Sequence, residues 1–152
     1  MNRRQYLSAV AGAGIAGLGG CLSVFDSEVQ LAGLAAANYA DEPKTLDVRV
    51  HEGDAEHVAV ELELGAGEDG IPDRAPIDCE WPESGQFVVE ATDGQAELTV
   101  DLAEHDLDCL VGVVTVDLLS GMGDGLSWSE RPCEDIGDSE DPPVEFCEFA
   151  ER

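Results

Sequence analysis

Apolar and polar positions alternate with period two along much of the chain. Leu46, Val48 and Val50 alternate with Asp47 and Arg49, and Val58, Val60, Leu62 and Leu64 alternate with Ala59, Glu61 and Glu63. Such alternation turns one face of a strand toward a core and the other toward solvent. Gly53-Asp54 separates these two runs and predicts a turn. Phe87, Val89 and Ala91 on one strand and Leu98, Val100 and Leu102 on the next flank Asp93-Gly94. An Asp-Gly pair there predicts a type I′ hairpin turn, with positive φ at both positions. Residues 110–119 are apolar almost throughout, the pattern of a central strand buried on both faces. Gly121, Gly123 and Gly125 predict a turn, and residues 126–129 a short edge strand.

Other stretches are less clear. Residues 29–38 are apolar but alanine-rich, so period alone leaves strand and helix open. Asp41, Glu42, Pro43 and Lys44 predict a turn, and residues 65–78, rich in Gly, Pro and Asp, a long loop. After Arg131 the composition turns acidic, with Glu134, Asp135, Asp138, Glu140 and Asp141, before Val144, Phe146, Cys147 and Phe149 return to apolar. This reads as a covering arm whose last strand packs on the body. Short strands at about ten-residue spacing, without a convincing helix, predict an all-β chain. The expected architecture is an antiparallel β-sandwich of immunoglobulin-like or fibronectin-like kind. The wide Cys, Trp, Cys spacing of an immunoglobulin domain proper is missing, because Trp81 follows Cys79 by only two residues.

The N-terminus changes the picture. Arg3 and Arg4 precede Gln5, Tyr6 and Leu7, then a Gly/Ala-rich apolar stretch, then Leu18-Gly19-Gly20-Cys21. This reads as a twin-arginine export signal ending in a lipobox, with Cys21 as the lipid-bearing residue. The apolar stretch is shorter than the roughly 20 residues a transmembrane helix needs. The expected organisation is a signal over 1–20, a short tether over 21–28, a sandwich over 29–130 and a disulfide-held acidic arm over 131–152. The expected location is the extracellular face of the cell membrane. A single lipid chain anchors only marginally, and a polybasic contact is not on offer from so acidic a chain.

The charge is extreme: 34 acidic against 7 basic residues, a formal net charge of −27. A leader over 1–20 carries Arg3 and Arg4 and no acid, so its loss takes the mature charge to −29. Lys44 is the one lysine. Self-repulsion of this size opposes compaction in dilute salt, and a Debye length of about 3 Å in molar salt removes most of it. The excess therefore reads as halophilic adaptation, and it argues against nucleic acid and anionic membrane surfaces as partners.

With Cys21 assigned to lipid, Cys79, Cys109, Cys133 and Cys147 remain. An even number in an exported chain predicts two disulfides, with three connectivities open. Chain position favours Cys79 with Cys109 and Cys133 with Cys147. A Cys₄ metal site lacks a close Cys-x-x-Cys pair.

Candidate chemistry is thin. A blue-copper site needs two His, a Cys and usually a Met, with a His after the Cys, whereas His51, His57 and His105 all precede Cys109 and Met122 has no such partner. His51 and His57 flank the Gly53-Asp54 turn, which would let them face each other across a hairpin. Glu68, Asp69 and Asp73, and Asp135, Asp138, Glu140 and Asp141, are acid clusters without the spacing of a calcium loop. No Gly-x-Ser-x-Gly elbow is present, and Gly121-Met122-Gly123-Asp124-Gly125 lacks the lysine and helix of a phosphate loop. Trp81 and Trp128 read as core or cysteine-covering aromatics rather than as a ligand platform.

Arg3, Arg4, Leu18 to Cys21, the single-lysine acidic composition, Ala36-Ala37-Asn38-Tyr39, Cys79-Glu80-Trp81-Pro82 and Asp108-Cys109 together carry a resemblance. The chain resembles the small lipoproteins of halophilic archaea exported by the twin-arginine route. That resemblance implies the address and the sandwich, and implies no activity. The expected function is a non-enzymatic, lipid-anchored surface module without a cofactor, with a surface protein or glycan as ligand. The alternative is a metal-binding or electron-transfer surface lipoprotein; a hydrolase ranks third.

The charge reading makes a direct prediction. Dialysis from molar to millimolar salt should expand or unfold the domain, followed by circular dichroism and small-angle scattering. A cooperative fold indifferent to salt would contradict halophilic adaptation.

Overall fold

Alternating strands need a second layer to bury their apolar faces, and here they form two four-stranded sheets packed against each other as a β-sandwich. The computed structural model describes residues 28–117, 125–136 and 146–150. Its strands are β1 (Gln30–Asn38), β2 (Lys44–Glu52), β3 (Ala55–Leu64), β4 (Asp73–Pro76), β5 (Val88–Thr92), β6 (Glu97–Asp101), β7 (Cys109–Val116) and β8 (Leu126–Pro132). One turn of helix, α1 (Cys133–Ile136), follows β8. The sheet orders are β4-β1-β7-β8 and β3-β2-β5-β6. Leu46, Val48 and Val50 of β2 are fully buried, as their alternation requires. They meet Leu34, Ala36, Leu110 and Val114 of the other sheet in a single core.

The alanine-rich run is a strand. β1 lies between β4 and β7, and its pairing with β7 is parallel, whereas the other ladders described are antiparallel. A bulge at Ala32 interrupts the register between Leu31 and Gly33. It shifts the inward set from Leu31 to Leu34 and Ala36, and it turns Ala35 to the opposite face, against Val111 and Ile136. Burial on both faces removes the period-two signal.

Two turns differ from expectation. The stretch 65–78 is not a continuous loop: it contains the edge strand β4 and a tight turn. The type I′ geometry sits there, at Asp69 (φ 53°) and Gly70 (φ 80°), where Glu68 and Ile71 exchange two backbone hydrogen bonds of 2.9 Å. At Asp93-Gly94 only Gly94 has positive φ, 93°. There the Asp93 carboxylate accepts from Gln95 N (2.9 Å) and Ala96 N (2.7 Å), replacing backbone acceptors and widening the loop to residues 93–96. Burial pushes the Asp93 carboxyl up, but these amide bonds outweigh it and hold it below its ordinary value. A lowered carboxyl supports the fold at neutral pH, and that support fades as pH falls through the carboxylate range.

The disulfides join Cys79 to Cys147 and Cys109 to Cys133, which corrects the expected pairing of Cys79 with Cys109 and Cys133 with Cys147. The reason is strand register. Leu110 lies opposite Pro132, so one further step sets Cys109 against Cys133, with Cα atoms 5.5 Å apart. Chain proximity carries no information about such cross-strand neighbours. The other bridge forms beside β1, where Cys147 N donates to Ala32 O at 2.7 Å. Around Cys147 the chain makes a 3-10 turn, Glu148–Ala150, where a packed strand was expected; Val144 lies outside the described residues.

Asn38 is a buried polar hub where β1 ends. Its side-chain amide donates to Glu42 O and Gly65 O, each at 2.9 Å, and its Oδ1 accepts from Ala40 N at 3.0 Å. One fully buried side chain thus ties the β1–β2 connection to the end of β3. Asn38→Ala would leave three backbone groups short of a partner. The expected loss is roughly 2–4 kcal/mol, read from denaturant melts in molar salt. A loss under about 0.5 kcal/mol, within the range of ordinary surface substitutions, would show that the hub is dispensable.

Candidate functional site

The three histidines do not converge. Val50 pairs with Val58 and His51 with Glu56, so His57 is the extra residue of a bulge. His51 reaches Glu90, Nε2 to Oε2 3.4 Å. His57 instead turns edge-on to Phe87, with ring centroids 6.0 Å apart, and stands 3.7 Å from Glu52. The expected approach of His51 and His57 across their hairpin is therefore undone by the bulge, which sends the two rings to different surroundings. His57 Nε2 is buried without a hydrogen-bond partner.

His105 makes the most organised polar cluster. It follows β6 and a 3-10 turn, Leu102–Glu104, in which the Asp101 carboxylate accepts from Ala103 N at 3.0 Å. Its Nδ1 lies 2.6 Å from Glu130 Oε1 on β8, and Trp128 Nε1 donates to Glu130 Oε2 at 2.8 Å. Alternation along β8 turns Leu126, Trp128 and Glu130 to the same face, and Leu126 and Trp128 pack on the core. Gly112 on the neighbouring strand makes room for the indole, because a Cβ there would overlap the Trp128 ring. The carboxylate thus closes the margin of the sandwich where β6 nears β8.

A carboxylate-oriented histidine is the base-and-orienter half of a hydrolytic triad. The other half is missing: among the described residues no Ser, Thr or Cys side chain hydrogen-bonds a histidine. Ser127, whose buried Oγ has no partner, sits on the other face of β8 from Glu130. A hollow of about 220 Å³ beside His105, lined by Glu28, Asp106 and Asp108, falls below the volume usual for small-molecule sites. A second, of about 300 Å³, lies on the outer face of β2, β5 and β6, where Arg49 stands among Asp47, Glu90 and Glu97.

The remaining sequence candidates distribute as follows. Cys79, Cys109, Cys133 and Cys147 are all bridged, so none offers a thiolate to a metal. Asp73 is engaged by Gly65 N at 2.7 Å, and Glu68 and Asp69 belong to the tight turn. Among the described residues no group of three metal-ligating side chains converges. Trp81 is 4% exposed and donates to Leu31 O at 2.7 Å, which makes it a core residue. Arg3, Arg4, Cys21, Met122, Asp138, Glu140 and Asp141 lie outside the described residues. The His105–Glu130–Trp128 cluster was not anticipated; Trp128 and Glu130 two apart on a strand is the one local signal for it.

A family model described as a domain of unknown function, DUF8130, matches residues 1–65. The match ends where β3 ends, so it takes in β1, β2 and β3 but neither β4 nor β7, the partners of β1. No curated protein matches the chain.

Glu130→Ala should leave the Trp128 and His105 ring nitrogens without their acceptor. The expected cost is about 1–3 kcal/mol, with a shift of Trp128 emission, measured by fluorescence-detected unfolding in molar salt. An unchanged spectrum and midpoint would mean that the cluster holds nothing together.

Proposed function

We propose that this chain is an exported, lipid-anchored β-sandwich that acts on the cell surface as a non-enzymatic binding module adapted to concentrated salt. The observation that carries the reading is that all four cysteines of the described residues are bridged. Such bridges form and persist in oxidising surroundings. The Arg3-Arg4 signal and the lipobox ending at Cys21 supply a route there and an anchor. The incomplete histidine–carboxylate pair and the small hollow beside His105 favour a structural or binding role over catalysis. The partner class is a surface protein or a glycan. The metal or electron-transfer alternative is weakened by the bridged cysteines and by three histidines held in separate surroundings.

Two variants test the reading. Arg3→Lys with Arg4→Lys should leave the precursor in the cytoplasm, scored by fractionation and immunoblotting. Cys21→Ser should release the folded domain into the medium. Normal export of the first variant, or undiminished membrane retention of the second, would refute the corresponding half of the proposal.

A further inference from the structure

β4 pairs with β1 only over residues 35–38, so among the described residues the earlier part of β1 has no strand on that side. Three separate donors cover its carbonyls instead: Trp81 Nε1 on Leu31 O, Cys147 N on Ala32 O, and Ile77 N on Leu34 O, at 2.7, 2.7 and 2.9 Å. Ile77 and Trp81 follow directly from β4 and are deeply buried. Cys147 comes from far along the chain and reaches the edge through that one backbone bond, the half-buried Phe146 and Phe149, and the bridge to Cys79. The two disulfides are thus unequal. Cys109–Cys133 only extends the seven-pair β7–β8 ladder, whereas Cys79–Cys147 joins segments that no ladder of the described residues holds together.

We infer that Cys79–Cys147 is a redox-sensitive latch, which on reduction frees the C-terminal turn and uncovers Ala32 O on the edge of β1 while the sandwich stays folded. Cys147 is buried but Cys79 is exposed, so the accessible path is attack of an external thiolate on the Cys79 sulfur. The S–S bond breaks with its electron pair leaving on the Cys147 sulfur, which takes up a proton. A second thiol group resolves the mixed disulfide on Cys79. The reagent ends as its own disulfide and both cysteines as thiols. Trp81 and Ile77 keep their bonds to Leu31 and Leu34, so only Ala32 O loses its donor.

The test is graded reduction of the oxidised protein with dithiothreitol in molar salt, read by alkylation mapping and amide hydrogen exchange. Cys79 and Cys147 should be alkylated while Cys109 and Cys133 remain bridged. Exchange at the Cys147 amide should accelerate about 100-fold, and the β2–β5 and β7–β8 amides should change by less than about threefold. Cys79→Ser with Cys147→Ser should reproduce this open state without reductant. Equal loss of protection across β2, β5 and β7, unchanged protection at Cys147, prior reduction of Cys109–Cys133, or global unfolding of the double variant would each overturn the inference.

Discussion

The packing of β1 is the constraint on which the rest of this fold depends. It is a central strand buried on both faces, and it needs a hydrogen-bonding partner along each side. β7 supplies one side completely, in parallel. The other side is shared between a four-residue strand and three isolated donors from the chain that follows it and from the C-terminus. Much of the irregular structure answers this need: the bulge at Ala32, the buried indole of Trp81, and a disulfide linking residues 68 positions apart.

A parallel neighbour also dictates topology. Two parallel strands cannot be joined by a hairpin, so the chain must leave β1, build elsewhere and return. Here it crosses to the second sheet for β2 and β3, returns briefly as β4, crosses again for β5 and β6, and comes back as β7 and β8. Asn38 stands at the first crossing and His105, held by Glu130 of β8, at the last, each satisfying polar groups where the chain changes layers. His105, Glu130 and Trp128 are thus occupied in closing the sandwich.

The DUF8130 match covers β1, β2 and β3. It stops at the end of β3, before either partner of β1 has been made. Five of the eight described strands, β4 to β8, come from the residues beyond it.

Where one face of a strand meets solvent, the sequence determined the structure by itself. β2, β5 and β6 follow from alternation, and Leu46, Val48, Val50, Val89 and Val100 are buried as the pattern requires. The unbroken apolar run of β7 likewise marked a two-sided strand, and the charge determined the character of the surface. What depends on distant partners was left to tertiary structure. The pattern of β1 fits strand or helix until the second sheet and α1 cover its two faces. Asp69-Gly70 and Asp93-Gly94 are the same dipeptide, and only their flanking acceptors decide which one turns as type I′. Cys109 meets Cys133 through register and Cys79 meets Cys147 beside β1, neither through spacing, and His105 meets Glu130, 25 residues away, only once the two sheets are packed. Local pattern encodes which side of a strand is buried; which strands lie side by side is a property of the assembled sheets.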